Sequence, residues 1–164
     1  VEDTWAEKLA IQELCARYCQ AIDSQDAEGW ARCFTPEGTF EVEGWAIQGH
    51  EALQQYAMLH SQIMRCRHLT MNFLYDVHGH EATGRSTTIV TLATEGGYKL
   101  LGQGVYEDRM LKHHGQWQIA YRRVHADRLA ADPQREVYLA DPDVAALVQH
   151  LTAAAQRLGR RIGQ

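Results

Sequence analysis

Tyr18, Asp23 and His68 are the residues of this chain whose types can together move a proton. A histidine exchanges protons near neutral pH. A carboxylate beside it fixes the ring tautomer and stabilises the imidazolium, and a phenol donates a hydrogen bond to an oxygen gaining negative charge. Such a set implies no cofactor. Tyr18 and Asp23 are five apart in Tyr18-Cys19-Gln20-Ala21-Ile22-Asp23, so on one helix they diverge by about 140° and form no adjacent pair. They reach a shared pocket only if Asp23 sits at the helix end. On composition alone, Asp23 before Ser24-Gln25-Asp26 reads first as a cap or turn residue.

His68 lies in Arg67-His68-Leu69-Thr70-Met71-Asn72. Strand alternation puts Cys66, His68, Thr70 and Asn72 on one face, a small, partly polar set suited to a pocket wall. A lone strand histidine is nevertheless more often structural or exposed than catalytic. Tyr106 alternates with Gly104 and Asp108, and Arg122 with Gln118, Ala120 and Val124. Either Tyr106 or Arg122 can hydrogen-bond a substrate oxygen. Arg122 and Arg123 must point to opposite faces, and an inward arginine needs a carboxylate, either Asp23 or one on the substrate. Asn72 and Trp45 complete the expected substrate-binding set, and Trp30, Met58, Met64, Phe73 and Leu101 are further side chains that can shape the pocket.

Cys15 and Cys19 stand one helical turn apart, but no second Cys/His pair follows at metal spacing. They read as reduced core thiols, and no metal is expected. His78, His80, His113 and His114 flank tight turns and read as exposed. A phosphate-binding glycine loop and a nucleophile elbow are both absent from the sequence.

The elements that must position these residues follow from periodicity and turn chemistry. Residues 6–23 read as an amphipathic helix with Leu9, Leu14, Ala16, Tyr18 and Ile22 available to a core. Residues 26–34 form a second helix capped by Asp26, and Thr35-Pro36-Glu37-Gly38 is a turn. Residues 39–43 and 45–48 make a hairpin, and 50–64 a third helix. Four long strands are expected over 65–77, 81–94, 99–112 and 116–128, each separator carrying glycine as short hairpin loops require. Asp141-Pro142-Asp143 starts a last helix over about 141–161, which can pack on the sheet, cover a pocket mouth or serve a subunit interface. The expected class is α+β: a single domain over residues 1–164 with its core over about 5–128, in which a curved antiparallel sheet and helices form a cone with an open interior.

Bulk properties narrow the partners. With 164 residues, 45% of them hydrophobic and 23% charged, the chain has ordinary globular composition. A net charge of −5 argues against a general nucleic-acid surface. Arg157, Arg160 and Arg161 read as a solvated helix end. The sequence has no apolar run near the ~18 residues that span a membrane. Val1-Glu2-Asp3-Thr4-Trp5 lacks a signal peptide's basic start and apolar core, and four cysteines set no disulfide framework, so a cytoplasmic location is expected.

Ala10-Ile11-Gln12-Glu13-Leu14, then Tyr18, Asp23, Trp30 and Phe34, resembles the opening of the SnoaL-like group of the nuclear transport factor 2-like superfamily. Gly115-Gln116-Trp117-Gln118-Ile119-Ala120-Tyr121-Arg122-Arg123-Val124 resembles its last strand. The resemblance covers roughly residues 5–128 and implies the α+β cone. Within the group, scytalone dehydratase, bile-acid 7α-dehydratase and hexachlorocyclohexane dehydrochlorinase carry an aspartate where Asp23 stands and a histidine where His68 stands. There the histidine is the base and the aspartate orients it. The bile-acid enzyme also has a tyrosine at the Tyr18 position, and the dehydrochlorinase an arginine at that of Arg122.

Departures limit the parallel. Scytalone dehydratase's second histidine and its asparagine fall near Leu92 and Tyr106, and the bile-acid enzyme's further aspartate has no counterpart among residues 88–91. The base of ketosteroid isomerase would fall near Val42, with Glu41 and Glu43 expected to point away. The resemblance implies a cofactor-independent lyase of dehydratase type, in which His68 is the base, Asp23 its support and Tyr18 the hydrogen-bond donor. The resemblance further implies a small hydrophobic cyclic or aromatic substrate as partner and a homo-oligomer of three chains. Polyketide cyclase, steroid-type isomerase and non-catalytic oxygenase small subunit are the alternatives on the same fold.

Overall fold

The computed structural model describes residues 4–63, 65–136 and 141–163. Helix α1 (Thr4–Asp23) leads into α2 (Ala27–Arg32), whose first turn is capped by the Asp26 carboxylate accepting from Gly29 N at 2.8 Å. Strands β1 (Phe34–Val42) and β2 (Trp45–Gln48), helix α3 (His50–Ile63) and the long strands β3 (Cys66–His78), β4 (Glu81–Thr94), β5 (Gly97–His113) and β6 (Gln116–Ala126) follow. Short strands β7 (Arg128–Leu129) and β8 (Asp132–Glu136) pair with each other, and α4 (Pro142–Leu158) precedes β9 (Arg160–Arg161). Met64, expected in α3, lies outside the described residues.

Ile11, Leu14, Cys15, Tyr18, Cys19 and Ile22 form the buried stripe of α1. Leu9 and Ala16, expected inside, are exposed because they fall on roughly the opposite side of that stripe. This stripe joins Trp30, Phe34, Phe40, Tyr56 and Ile119 in the main core.

The seven-stranded sheet runs β3-β4-β5-β6-β1-β2-β9. It is mixed rather than purely antiparallel, because β1 lies parallel to β6. The Thr35-Pro36-Glu37-Gly38 segment, expected as a free turn, is an irregular stretch within β1, with the register shifting between Phe34 and Thr39. A Cβ on Gly38 would sit 2.8 Å from Phe34 Cβ and 2.9 Å from Ile119 O, so the irregular stretch needs glycine.

Three further register shifts bend the sheet around the helices: an extra residue in β3 between Met71 and Leu74, one in β5 opposite Val90/Thr91 and one in β6 opposite Arg109/Met110. The last helix stops at Leu158, short of the expected end near 161. Gly159 lets the backbone approach Ala46 O, and Arg160 and Arg161 then pair with Ala46 and Trp45. Helix α4 packs on α3 and β2, over the open end of the sheet's concave face.

Candidate active site

A cavity of about 140 Å³ lies between the concave face and the helices. Tyr18 and Ile22 reach it from α1, Trp30 from α2, Tyr56 and His60 from α3, His68 from β3, Tyr106 from β5, and Val148 and Leu151 from α4. Its lining among the described residues is mainly apolar, with histidine, phenol and the Glu43 carboxylate placed among the hydrocarbon.

His68 Nδ1 is 2.7 Å from Asp23 Oδ1. The same carboxylate also accepts from the His68 backbone N–H, at 3.0 Å to Oδ2. Both side chains are largely buried, 10% exposed for His68 and 7% for Asp23. Asp23 is the last residue of α1, where the helix dipole disfavours a negative charge, so these two donors offset an unfavourable placement. Arg67 Nη1 meets the Asp23 backbone carbonyl at 3.2 Å, a cation where the helix end favours one. An ionised Asp23 accepts from Nδ1–H, which leaves Nε2 with the lone pair. Asp23 itself stands behind His68 rather than on the cavity wall.

Tyr18 and Tyr106 face each other at 6.0 Å between ring centroids, edge to face. The Arg122 guanidinium carbon sits 4.3 Å from the centroid of each ring. Burial pushes the Tyr18 phenol well above its ordinary value and Tyr106 up to about 12, with Arg122 pulling both the other way. Both phenols therefore stay protonated as hydrogen-bond donors at neutral pH.

Arg122 is fully buried and lies outside the cavity lining. The carboxylate it requires is Asp108, not Asp23 or a substrate group. Nε donates to Oδ1 at 2.7 Å and Nη2 to Oδ2 at 2.8 Å, and Tyr75 OH adds a third donor at 2.6 Å. Arg123 points the other way, as alternation requires, and pairs with Glu41.

Two expected substrate contacts fall elsewhere. Asn72 sits at the β3 irregularity with φ +55, exposed, its Nδ2 donating to Thr87 Oγ1 at 3.3 Å. The extra residue there reverses the alternation, turning Asn72 outward and Tyr75 inward. Trp45 packs against the core from β2 without lining the cavity. Among the other shape-setting candidates, Trp30 and Leu101 line it, Phe73 packs against the core and Met58 is half exposed.

Three groups at or beside the cavity were not among the expected site residues. Glu43, expected to point away, has φ +52 in the β1–β2 turn and reaches the cavity. His60 lines it from the last turn of α3, its ring 5.8 Å from that of His68. Burial, then His68, drives His60 down to about 3, so it is neutral. Cys66, beside both histidines, has its thiol pushed up to about 12 by burial and then by the Asp23 charge. The signal available was the His60-x5-Cys66-x-His68 spacing, with Cys66 and His68 on one strand face.

The SnoaL-like domain family matches residues 3–123. A single aspartate-to-asparagine variant of Rv3472 from Mycobacterium tuberculosis, described as of unknown function, is 56% identical over 99% of this chain and 96% of that one, with a TM-score of 0.97. A candidate scytalone dehydratase from Novosphingobium aromaticivorans is 22% identical over 76% of this chain and 86% of its own, at a TM-score of 0.69. The beta subunit of a candidate aromatic-ring-hydroxylating dioxygenase from the same organism is 18% identical over 80% and 96%, at 0.70. A search of curated proteins finds no match. With the domain match spanning most of its length and a 56% identical relative of the same fold, the chain belongs to the SnoaL-like family of the nuclear transport factor 2-like superfamily.

Proposed function

We propose that the protein is a cofactor-independent lyase of dehydratase type acting on a small cyclic or aromatic oxygenated molecule. The observation that carries this reading is the 2.7 Å contact between His68 Nδ1 and Asp23 Oδ1, with His68 on the wall of a mainly apolar cavity. Nε2 of His68 takes the proton from a carbon activated by a neighbouring carbonyl or phenolic oxygen, and the C–H electron pair moves onto that oxygen. Asp23 stabilises the imidazolium. Tyr18 and Tyr106 donate to the enolate-like oxygen, with the Arg122 charge behind both rings. When the oxyanion collapses, hydroxide leaves with the proton returned from Nε2, and the products are an unsaturated ring and water.

Cavity size bears on the substrate. At about 140 Å³ the space is close to the ~150 Å³ that admits a benzene ring in an engineered apolar cavity, which favours one six-membered ring over a fused polycycle. Buried free thiols at Cys15, Cys19, Cys33 and Cys66 fit a reducing, cytoplasmic setting. Exposed Leu69 and Leu74 on the outer face of β3 fit a homo-oligomer, with a trimer the form implied by family resemblance.

Isomerisation is the second reading, favoured by Glu43: a carboxylate on the cavity can return the proton at a different carbon. The test is a panel of monocyclic hydroxy-ketones and hydroxylated phenol derivatives, with products followed by mass. Loss of water that falls at least 100-fold in both His68→Ala and Asp23→Asn is the expected result. Wild-type turnover in both variants would sink the mechanism, and a product of unchanged mass would select isomerisation.

A further inference from the structure

His60 lies in the last turn of α3, and Cys66 and His68 stand at the start of β3, which places three soft or borderline donors at one spot. Cys66 Sγ is 3.7 Å from His60 Nε2 and 3.9 Å from His68 Nδ1. All three donor atoms lie within 4.8 Å of one another. A tetrahedral ion with sulfur at ~2.3 Å and nitrogen at ~2.0–2.1 Å holds its S and N ligands about 3.6 Å apart, so the two S···N spacings are already within a few tenths of an ångström. Asp23 Oδ1, 2.7 Å from His68 Nδ1, lies outside this three-donor cluster. His60 and His68 both line the cavity, which gives an ion a way in.

We propose that His60 Nε2, Cys66 Sγ and His68 Nδ1 form a binding site for a divalent transition cation of the zinc class, and that this site switches His68 off as a base. A nitrogen and sulfur donor set selects such an ion over magnesium or calcium. Binding changes two bonds to hydrogen. Cys66 gives up its S–H proton to solvent and binds as thiolate. His68 gives up Nδ1–H, takes a proton on Nε2 and binds through Nδ1, so one proton is released per ion. The lone pair that faced the cavity is then a bonded N–H. Ion binding and proton abstraction exclude each other at one imidazole. The site stands on its own donor geometry; only the switch rests on the lyase reading.

Full-length protein, reduced and metal-free, is titrated with Co²⁺ and then with Zn²⁺. Expected are one Co²⁺ per chain with tetrahedral ligand-field bands and a thiolate-to-cobalt charge-transfer band, both displaced by Zn²⁺. Cys66→Ser keeps the fold and loses the charge-transfer band, whereas Cys15→Ala and Cys33→Ala keep it. His60→Asn, a second route should Cys66→Ser unfold, lowers Co²⁺ affinity at least 10-fold. A missing thiolate band at saturating Co²⁺, or a band of equal intensity in Cys66→Ser, overturns the site. Base chemistry that fails in metal-free protein would instead remove the lyase reading and leave the ion site standing.

Discussion

Asp108 and Arg122 meet across β5 and β6 with both side chains fully removed from water. The pair is bidentate, and Tyr75 adds a third donor to the carboxylate. It holds the guanidinium carbon 4.3 Å from the centroid of both the Tyr18 and Tyr106 rings, so the pair braces the two phenols. Breaking it on one side leaves a charge buried without its partner. Arg122→Met is therefore expected to lose about 3–5 kcal/mol of unfolding free energy. Arg122→Met combined with Asp108→Leu should recover a large part of that loss, as measured by urea denaturation of the single and double variants.

Asp23→Asn should change the tautomer of His68. An asparagine amide can present N–H to Nδ1, which moves the ring proton to Nε2 and removes the lone pair from the cavity side. Nitrogen-15 NMR of the imidazole reads this without any substrate: Nδ1–H in the parent protein, Nε2–H in the variant. An unchanged Nδ1–H tautomer would mean that Asp23 does not set the ring.

His60 gives the fold an acid-sensitive component. Its folded-state value of about 3 lies below its ordinary 6.5, so protons bind the unfolded chain first. This contribution is complete above about pH 6.5 and is lost as pH falls toward 3, with a slope approaching ~1.4 kcal/mol per pH unit. His60→Leu should lose less stability than the parent between pH 6.5 and pH 4.5. Parallel denaturation curves at the two pH values would contradict this.

Gly104→Ala should destabilise the sheet by about 1–3 kcal/mol. The added Cβ would fall 2.0 Å from the His125 carbonyl oxygen, a backbone atom in the paired strand β6. Gly115→Ala is a useful contrast: its Cβ would meet nothing within 4 Å, so its cost comes from φ +79 alone. Thermal unfolding of both variants separates close packing from backbone strain.

Much of the frame is visible in local chemistry. The glycine-bearing separators delimit the long strands, β4 over its exact span Glu81–Thr94, and Asp26 and Asp141 cap their helices as short polar residues before apolar periodicity do. What alternation missed follows from register. One extra residue near Asn72 reverses the inward side of β3, which hides Tyr75 from a period-two count and wrongly turns Asn72 inward. Asp108 reads as inward beside Tyr106, yet its pairing with Arg122 appears only when β5 and β6 are aligned. The parallel β1–β6 contact and the β9 return are long-range pairings without a local signature. Tyr18, His68 and Asp23 were legible as types, whereas their meeting depends on α1 ending beside β3.

β3 is also the outer strand of the seven, and the Asp23 carboxylate takes the His68 backbone N–H there. An open strand edge is a template onto which another chain can add itself. The same carboxylate that orients the ring thus guards the rim of the sheet against adventitious strand addition. Loss of that carboxylate would expose two liabilities together, a misoriented imidazole and an unprotected amide. Self-association in concentrated solution would then report the second independently of any chemistry.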